Sequence, residues 1–147
     1  MRERAKNEML LEVPSYSSNE GFLRGAVACF AAQMDPTLNE LEDIKTSVSE
    51  AVTNAIVHAY PETIGKITVR ARILGETQLE ITVRDKGCGI ADISKAREPM
   101  FTTGGEERSG MGFTIMESFM DQVQVRSAPG RGTNITMKKK LAPRLKR

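Results

Sequence analysis

Glu50, Asn54 and His58 recur every fourth residue in the stretch "SEAVTNAIVHAY", residues 49–60. The apolar residues around them, Val48, Ala51, Val52, Ala55 and Ile56, are spaced for a helix. Residues four apart on a helix lie one above another. The stretch thus carries a carboxylate, a carboxamide and an imidazole as a polar stripe beside an apolar one. A solvated face and a ligand site both fit that stripe. As a ligand site it has definite chemistry. An asparagine facing phosphates offers an oxygen to Mg2+, which keeps several waters and takes few protein ligands. A glutamate one turn earlier is placed to accept a proton from an attacking hydroxyl or water.

Two glycine pairs follow. In "DKGCGI", Asp85 precedes Gly87 and Gly89. Glycines allow positive φ and close approach of a ligand, and an aspartate beside them can accept a hydrogen bond from an exocyclic amine. In "SGMGF", Gly110 and Gly112 stand directly before a helical pattern. Backbone N–H groups at a helix start suit phosphate oxygens. Neither pair is specific alone: turns after strands and plain helix starts look the same. There is no P-loop pattern and no third glycine in a βαβ context, so neither nucleotide fingerprint applies.

The elements that must carry these residues are legible from patterning. "MLLEVPSY" alternates loosely as a first strand ending near Pro14. Residues 17–34 read as a helix, with Ser17 and Glu20 as a capping box and Phe22, Val27, Phe30 and Met34 toward the core. Cys29 falls in the same apolar pattern and is expected in the core. Thr37 and Glu40 form a second capping box, opening a helix that runs to about Tyr60 and stops at Pro61. Leu38, Leu41, Ile44, Val48, Ala51, Val52, Ala55 and Ile56 mark its buried side. "KITVRARIL" and "QLEITVRD", joined by "GET", read as a hairpin. A short helix over 92–97, a helix in "MGFTIMESFM" and a second hairpin, "DQVQVRSA" to "TNITMKKKL", complete the chain. The order β-α-α-β-β-α-α-β-β predicts an α+β fold. It is a two-layer α/β sandwich: a mixed, mostly antiparallel sheet with helices on one face.

The chain has 147 residues, 39% hydrophobic and 27% charged, the size and make-up of one globular domain. With no apolar run of eighteen residues and no signal-peptide core, a cytoplasmic protein without membrane contact is expected. One histidine and two separated cysteines argue against structural zinc. The net charge of +2 is carried by the last ten residues, "KKKLAPRLKR", which hold six basic residues and no acid. The rest is mildly acidic, and the tail lacks interleaved aromatics, so direct nucleic-acid binding is not expected.

Taken together, "EAVTNAIVHAY", "RDKGCGI" and "RSGMGF", in that order and with a polar loop before the last, resemble the GHKL superfamily of ATPases and kinases. "MFTTGGEERSGMGFTIMESFMD" and the small size narrow the resemblance to the anti-sigma F factors, small serine protein kinases of spore-forming bacteria. The anti-sigma kinases of the general stress response are the alternative, as is a nucleotide-gated sigma-binding module without kinase activity. The resemblance implies the GHKL, or Bergerat, ATP-binding fold over residues 1–147, with a basic tail at about 138–147. It implies ATP or ADP and Mg2+ as cofactors, a sigma factor and an anti-anti-sigma factor as partners, and a homodimer. By position, Asn54 would bind Mg2+ and Glu50 would be the general base toward a serine hydroxyl. Asp85 would bind the adenine amine, with Gly87 and Gly89 giving room. Gly110, Met111 and Gly112 would offer N–H groups to the phosphates. Residues 101–109, with Thr102, Thr103, Arg108 and Ser109, would form a lid over the nucleotide. His58 completes the motif, where capping or packing serves as well as ligand contact. Arg24, on the polar side of the first helix, is either a partner contact or a solvated arginine. The sequence departs from the family pattern at Ala59, where glycine is common. It also departs at "TTGGEE", where a lysine–proline pair is expected after the threonines.

Overall fold

The computed structural model describes residues 4–90 and 112–142. Strand β1 spans Ala5–Pro14 and helix α1 spans Asn19–Ala31, tightening into a single 3-10 turn over Ala32–Met34. Asp35 ends that turn in the left-handed region, φ 52°, a conformation aspartate tolerates better than most residues. Pro36 then bars further helix. Helix α2 spans Leu38–Asn54 and passes directly into a π-helical turn, Ala55–Ala59. Strands β2 (Lys66–Leu74) and β3 (Gln78–Asp85), helix α3 (Gly112–Phe119) and strands β4 (Gln122–Ser127) and β5 (Thr133–Lys140) follow.

The five strands form one sheet in the order β1-β2-β3-β5-β4. Every pairing among the described strands is antiparallel, in keeping with the mostly antiparallel sheet expected from the sequence. Each of its pairs joins strands that run in opposite directions, and the β4–β5 hairpin places β5, not β4, against β3. The expected helix at 92–97 lies outside the described residues.

One face of the sheet is apolar because its strands alternate. Ile67, Val69 and Ala71 of β2 stand beside Asp85, Val83 and Ile81 of β3. Those three in turn stand beside Thr133, Ile135 and Met137 of β5. The helices cover this face. α1 buries Leu23, Val27, Phe30 and Ala31, and α2 buries Ile44, Ser47, Val48, Ala51 and Val52. α3 buries Phe113 and Met116.

Several local expectations are corrected. Phe22 is 54% and Leu38 82% exposed. Phe22 lies one step off the Leu23–Val27–Phe30 stripe, and Leu38 is the first residue of its helix, before the stripe begins. Cys29 is exposed, on the face of α1 opposite the core. Leu41 and Ile56 are only half-buried. The Thr37–Glu40 box forms as expected, with both reciprocal bonds present. The Ser17–Glu20 box does not: the N-cap is Ser18 and no side chain caps it. Glu20 is instead drawn to α2, where its carboxylate accepts a 2.6 Å bond from the Ser49 hydroxyl.

The basic tail begins by closing the fold. Leu141 is buried and its N–H donates to the Thr77 carbonyl at 2.8 Å. The Ala142 N–H donates to Glu40 Oε2 at 2.9 Å, and Lys139 donates to the Phe119 carbonyl at 2.6 Å.

Among the described residues, Ser47 Oγ is a fully buried side-chain oxygen with no hydrogen-bond partner. A buried unsatisfied hydroxyl costs about 1–3 kcal/mol, and alanine is the better helix former. Ser47→Ala is therefore expected to raise the urea unfolding midpoint, by about 1 kcal/mol of stability after the small packing loss. A fall of the same size would show that the hydroxyl has a partner.

Candidate functional site

The last turns of α2 carry Glu50 and Asn54 on one face, both half-buried. The opposite side is fixed in the core by Ala51, Val52 and Ala55, at most 3% exposed. Neither the Glu50 carboxylate nor the Asn54 carboxamide has a hydrogen bond or ion pair with any described residue. Gly112, the first residue of α3, lies against Glu50. Two partnerless oxygen-bearing groups thus stand one helical turn apart beside the start of another helix. They are hard donors of the kind Mg2+ takes. No cluster of three acidic, histidine or cysteine side chains that would hold a metal by itself occurs among the described residues. The donor set therefore fits a cation completed by phosphate and water better than a closed protein cage.

The π turn after Asn54 sets the next contact. A π turn widens the helix by one residue and is frequent at functional sites. Here it delivers the Ala59 carbonyl to the Cys88 N–H, 3.1 Å away. Gly87 must be glycine for this approach: a Cβ there would stand 2.2 Å from the Ala59 oxygen. Tyr60 adds a second tie. Its hydroxyl accepts from the Lys86 N–H at 2.7 Å and donates to the Lys66 carbonyl at 2.8 Å. His58 is half-buried within the π turn.

On the other side the same turn leans on the β4–β5 connection. Gly89 has φ +78°, and a Cβ there would meet the Ala128 carbonyl at 2.0 Å. The Ile90 N–H donates to Ser127 Oγ at 2.7 Å, and the Gly130 N–H donates to the Cys88 carbonyl at 2.7 Å. The space freed at positions 87 and 89 is thus filled by the chain's own backbone.

Asp85 lies at the centre of this assembly. Strand alternation puts it on the core side, and it is 7% exposed. Its Oδ1 accepts from the Gly87 N–H at 3.0 Å and the Thr133 N–H at 3.2 Å. Burial holds the carboxyl above the usual aspartate range, against the smaller opposing pull of those two N–H groups. Among the described residues no donor reaches Oδ2.

Arg24 is half-buried and ion-paired with Glu20 at 3.1 Å. Through Glu20 and Ser49 it is linked to α2 one residue before Glu50. Thr102, Thr103, Arg108, Ser109, Gly110 and Met111 lie outside the described residues. Sequence reasoning missed Tyr60, the Ala59 carbonyl, Ser127 and Thr133, all of which hold the turn. Only "AYP" at the helix end hinted at any of them.

Residues 17–139 match the histidine kinase-like ATPase domain family. The anti-sigma F factor of Pasteuria penetrans is 57% identical over 138 residues, covering 92% of each chain. The chain belongs to the anti-sigma F factors. A second member, from Caldanaerobacter subterraneus subsp. tengcongensis, is 56% identical over 134 residues, covering 90% of this chain and 93% of that one. The fold agrees. The RsbU and RsbW domains of a Mycobacterium tuberculosis protein superpose with a TM-score of 0.66 at 19% identity, over 92% of this chain and 32% of that one. Membership brings with it an ATPase-type, nucleotide-binding domain. In this anti-sigma F factor no described helix is long and apolar enough to cross a membrane.

The burial of Asp85 has a pH consequence. Its folded-state pKa lies above the unfolded one. Between the two values the folded protein binds more protons than the unfolded chain, so this group's contribution falls as pH rises. Asp85→Asn abolishes that titration while keeping an oxygen for Gly87 and Thr133. The stability of the variant relative to wild type is expected to grow as pH rises from about 4, the unperturbed carboxyl value, toward neutrality. Denaturant titrations across that range check it, and a pH-independent difference would contradict it.

Proposed function

We propose that this anti-sigma F factor is a serine/threonine protein kinase. It holds a sporulation sigma factor inactive, and it uses Mg-ATP to phosphorylate a serine of an anti-anti-sigma factor. The observation that carries the reading is the placement of Glu50 and Asn54, one turn apart, beside the start of α3 and without a partner among the described residues. A pure nucleotide-gated binder has no use for a free carboxylate there. The names of the relatives support the sigma-factor partner. The RsbW domain in the structural neighbour is consistent with an anti-sigma kinase fold.

In this reading each group has one task. Asp85 Oδ2 accepts a hydrogen bond from the adenine amine, and its fixed Oδ1 keeps the carboxyl from turning away. Asn54 Oδ1 would hold Mg2+, whose charge would offset that of the phosphate oxygens. The N–H of Gly112 at the start of α3 would face those oxygens. By resemblance Gly110 and Met111 would add theirs, and Thr102, Thr103, Arg108 and Ser109 would belong to the nucleotide-covering segment 101–109; all of these lie outside the described residues. Glu50 takes the proton of the substrate serine as its oxygen bonds to the γ-phosphorus and the bond to the ADP oxygen breaks. Such a transfer depends on positioning and charge neutralisation more than on covalent chemistry. We further propose a single kinase domain that works as a cytoplasmic homodimer. Arg24 would be a partner contact, and no nucleic acid or membrane would be bound directly.

Two variants test the roles. Asn54→Ala is expected to weaken Mg2+-dependent ADP and ATP binding at least about tenfold in calorimetry, about 1.4 kcal/mol. Glu50→Ala is expected to bind nucleotide and sigma factor but to lose about 10²–10⁴ in serine phosphorylation with labelled ATP. Wild-type protein that binds no nucleotide with Mg2+ present would overturn the whole assignment. Full activity in Glu50→Ala would remove that residue from the chemistry.

A further inference from the structure

Gly112 differs from the other glycines of the site. Gly87 and Gly89 face backbone carbonyls that cannot move aside, and Gly89 also has positive φ. Gly112 has neither constraint. Its φ is not in the positive region. Setting aside its own helix, a Cβ placed there would meet a single described atom within 4 Å, Glu50 Oε1, at 3.3 Å. That is tighter than ordinary van der Waals contact. Gly112 is the first residue of its eight-residue helix, where helical backbone does not itself require glycine. No described backbone atom outside its own helix lies close enough to require the glycine, whereas the Glu50 carboxylate does.

We propose that Gly112 is a positioning residue for Glu50. Its missing side chain leaves the space in which the carboxylate rests against the first turn of α3. This rests on the kinase reading above and adds a second task to Gly112 beyond any N–H contact with phosphate. A methyl group at 112 keeps that N–H but displaces the carboxylate. Because the displaced group is the far end of a flexible side chain, the helix itself can accommodate the methyl. The damage then falls on chemistry more than on folding. Shortening the acid by one methylene, as in Glu50→Asp, withdraws it from the crowded position and removes most of what a methyl at 112 can disturb.

The test is a double-mutant cycle on the full chain with Gly112→Ala, Glu50→Asp and the pair. In the Glu50 background, Gly112→Ala is expected to lower kcat for serine phosphorylation at least tenfold, with a smaller change in ADP affinity by calorimetry. In the Glu50→Asp background the same change is expected to cost threefold or less. A second cycle needs no activity at all. With Glu50→Ala, which deletes the carboxylate, Gly112→Ala is expected to raise Tm by more than it does in the presence of Glu50. Equal effects of Gly112→Ala in all backgrounds, in both cycles, would overturn the proposal while leaving the kinase reading intact. A wild-type chain that binds nucleotide but transfers no phosphate would overturn both.

Discussion

The site depends on one backbone hydrogen bond, from the Cys88 N–H to the Ala59 carbonyl. It joins the end of the helix that carries Glu50 and Asn54 to the turn that carries Asp85. Ala59 is the last residue of the π turn, so its carbonyl has no partner within the helix and is available to the Cys88 N–H. The π winding sets where that carbonyl points. The rest follows from keeping that bond. Gly87 must lack a side chain beneath it, Tyr60 must reach both Lys66 and Lys86, and Gly65 must be small enough to admit the Tyr60 ring.

Asp85 shows how the sheet register places a carboxylate at a core position. The register that puts Val83 and Ile81 under the helices puts Asp85 there too, two residues further along. A carboxylate so placed needs fixed donors, and it has two on one oxygen. Those bonds only partly offset desolvation, and the group sits above the usual aspartate range. A buried acceptor held at fixed orientation recognises a donor by geometry more than by charge. Glu50 and Asn54 on α2 are treated differently: both are half-buried and bond to no other described residue.

Much of this was readable in the sequence, because it lies in local periodicity. The long helix, its Thr37–Glu40 cap and the β2–β3 hairpin are set by residues within a few positions of one another. So is the stripe of Glu50 and Asn54. The failures share a cause. Ser17 and Glu20 spell the same capping motif as Thr37 and Glu40, but Ser49 and Arg24 compete for the Glu20 carboxylate from elsewhere in the fold. Phe22 and Cys29 look like core on a helical pattern, but the angle at which α1 meets the sheet selects Leu23 and Val27 instead. The antiparallel placing of β5 beside β3 cannot be read from either strand alone. With it goes the Thr133 N–H on Asp85. The shift from α to π winding has no signature in "AIVHA", since hydrophobic spacing does not report which carbonyl is bonded to which N–H.

The order of strands in the sheet bears on how the protein comes into being at the ribosome. β5, made last, lies between β3 and β4 and supplies Ile135 and Met137 to the middle of the core. The first three strands pair side by side, β1 with β2 across the two intervening helices and β2 with β3 as a hairpin, but the open edge of β3 stays unpaired until residues 133–140 arrive. An open strand edge is prone to pair with the wrong chain. The same strand brings the Thr133 N–H to Asp85, so the turn after β3 gains its second tie only once β5 has paired. Until then the aspartate has the Gly87 N–H alone among its described donors, and one pairing event closes the sheet and fixes that side chain together.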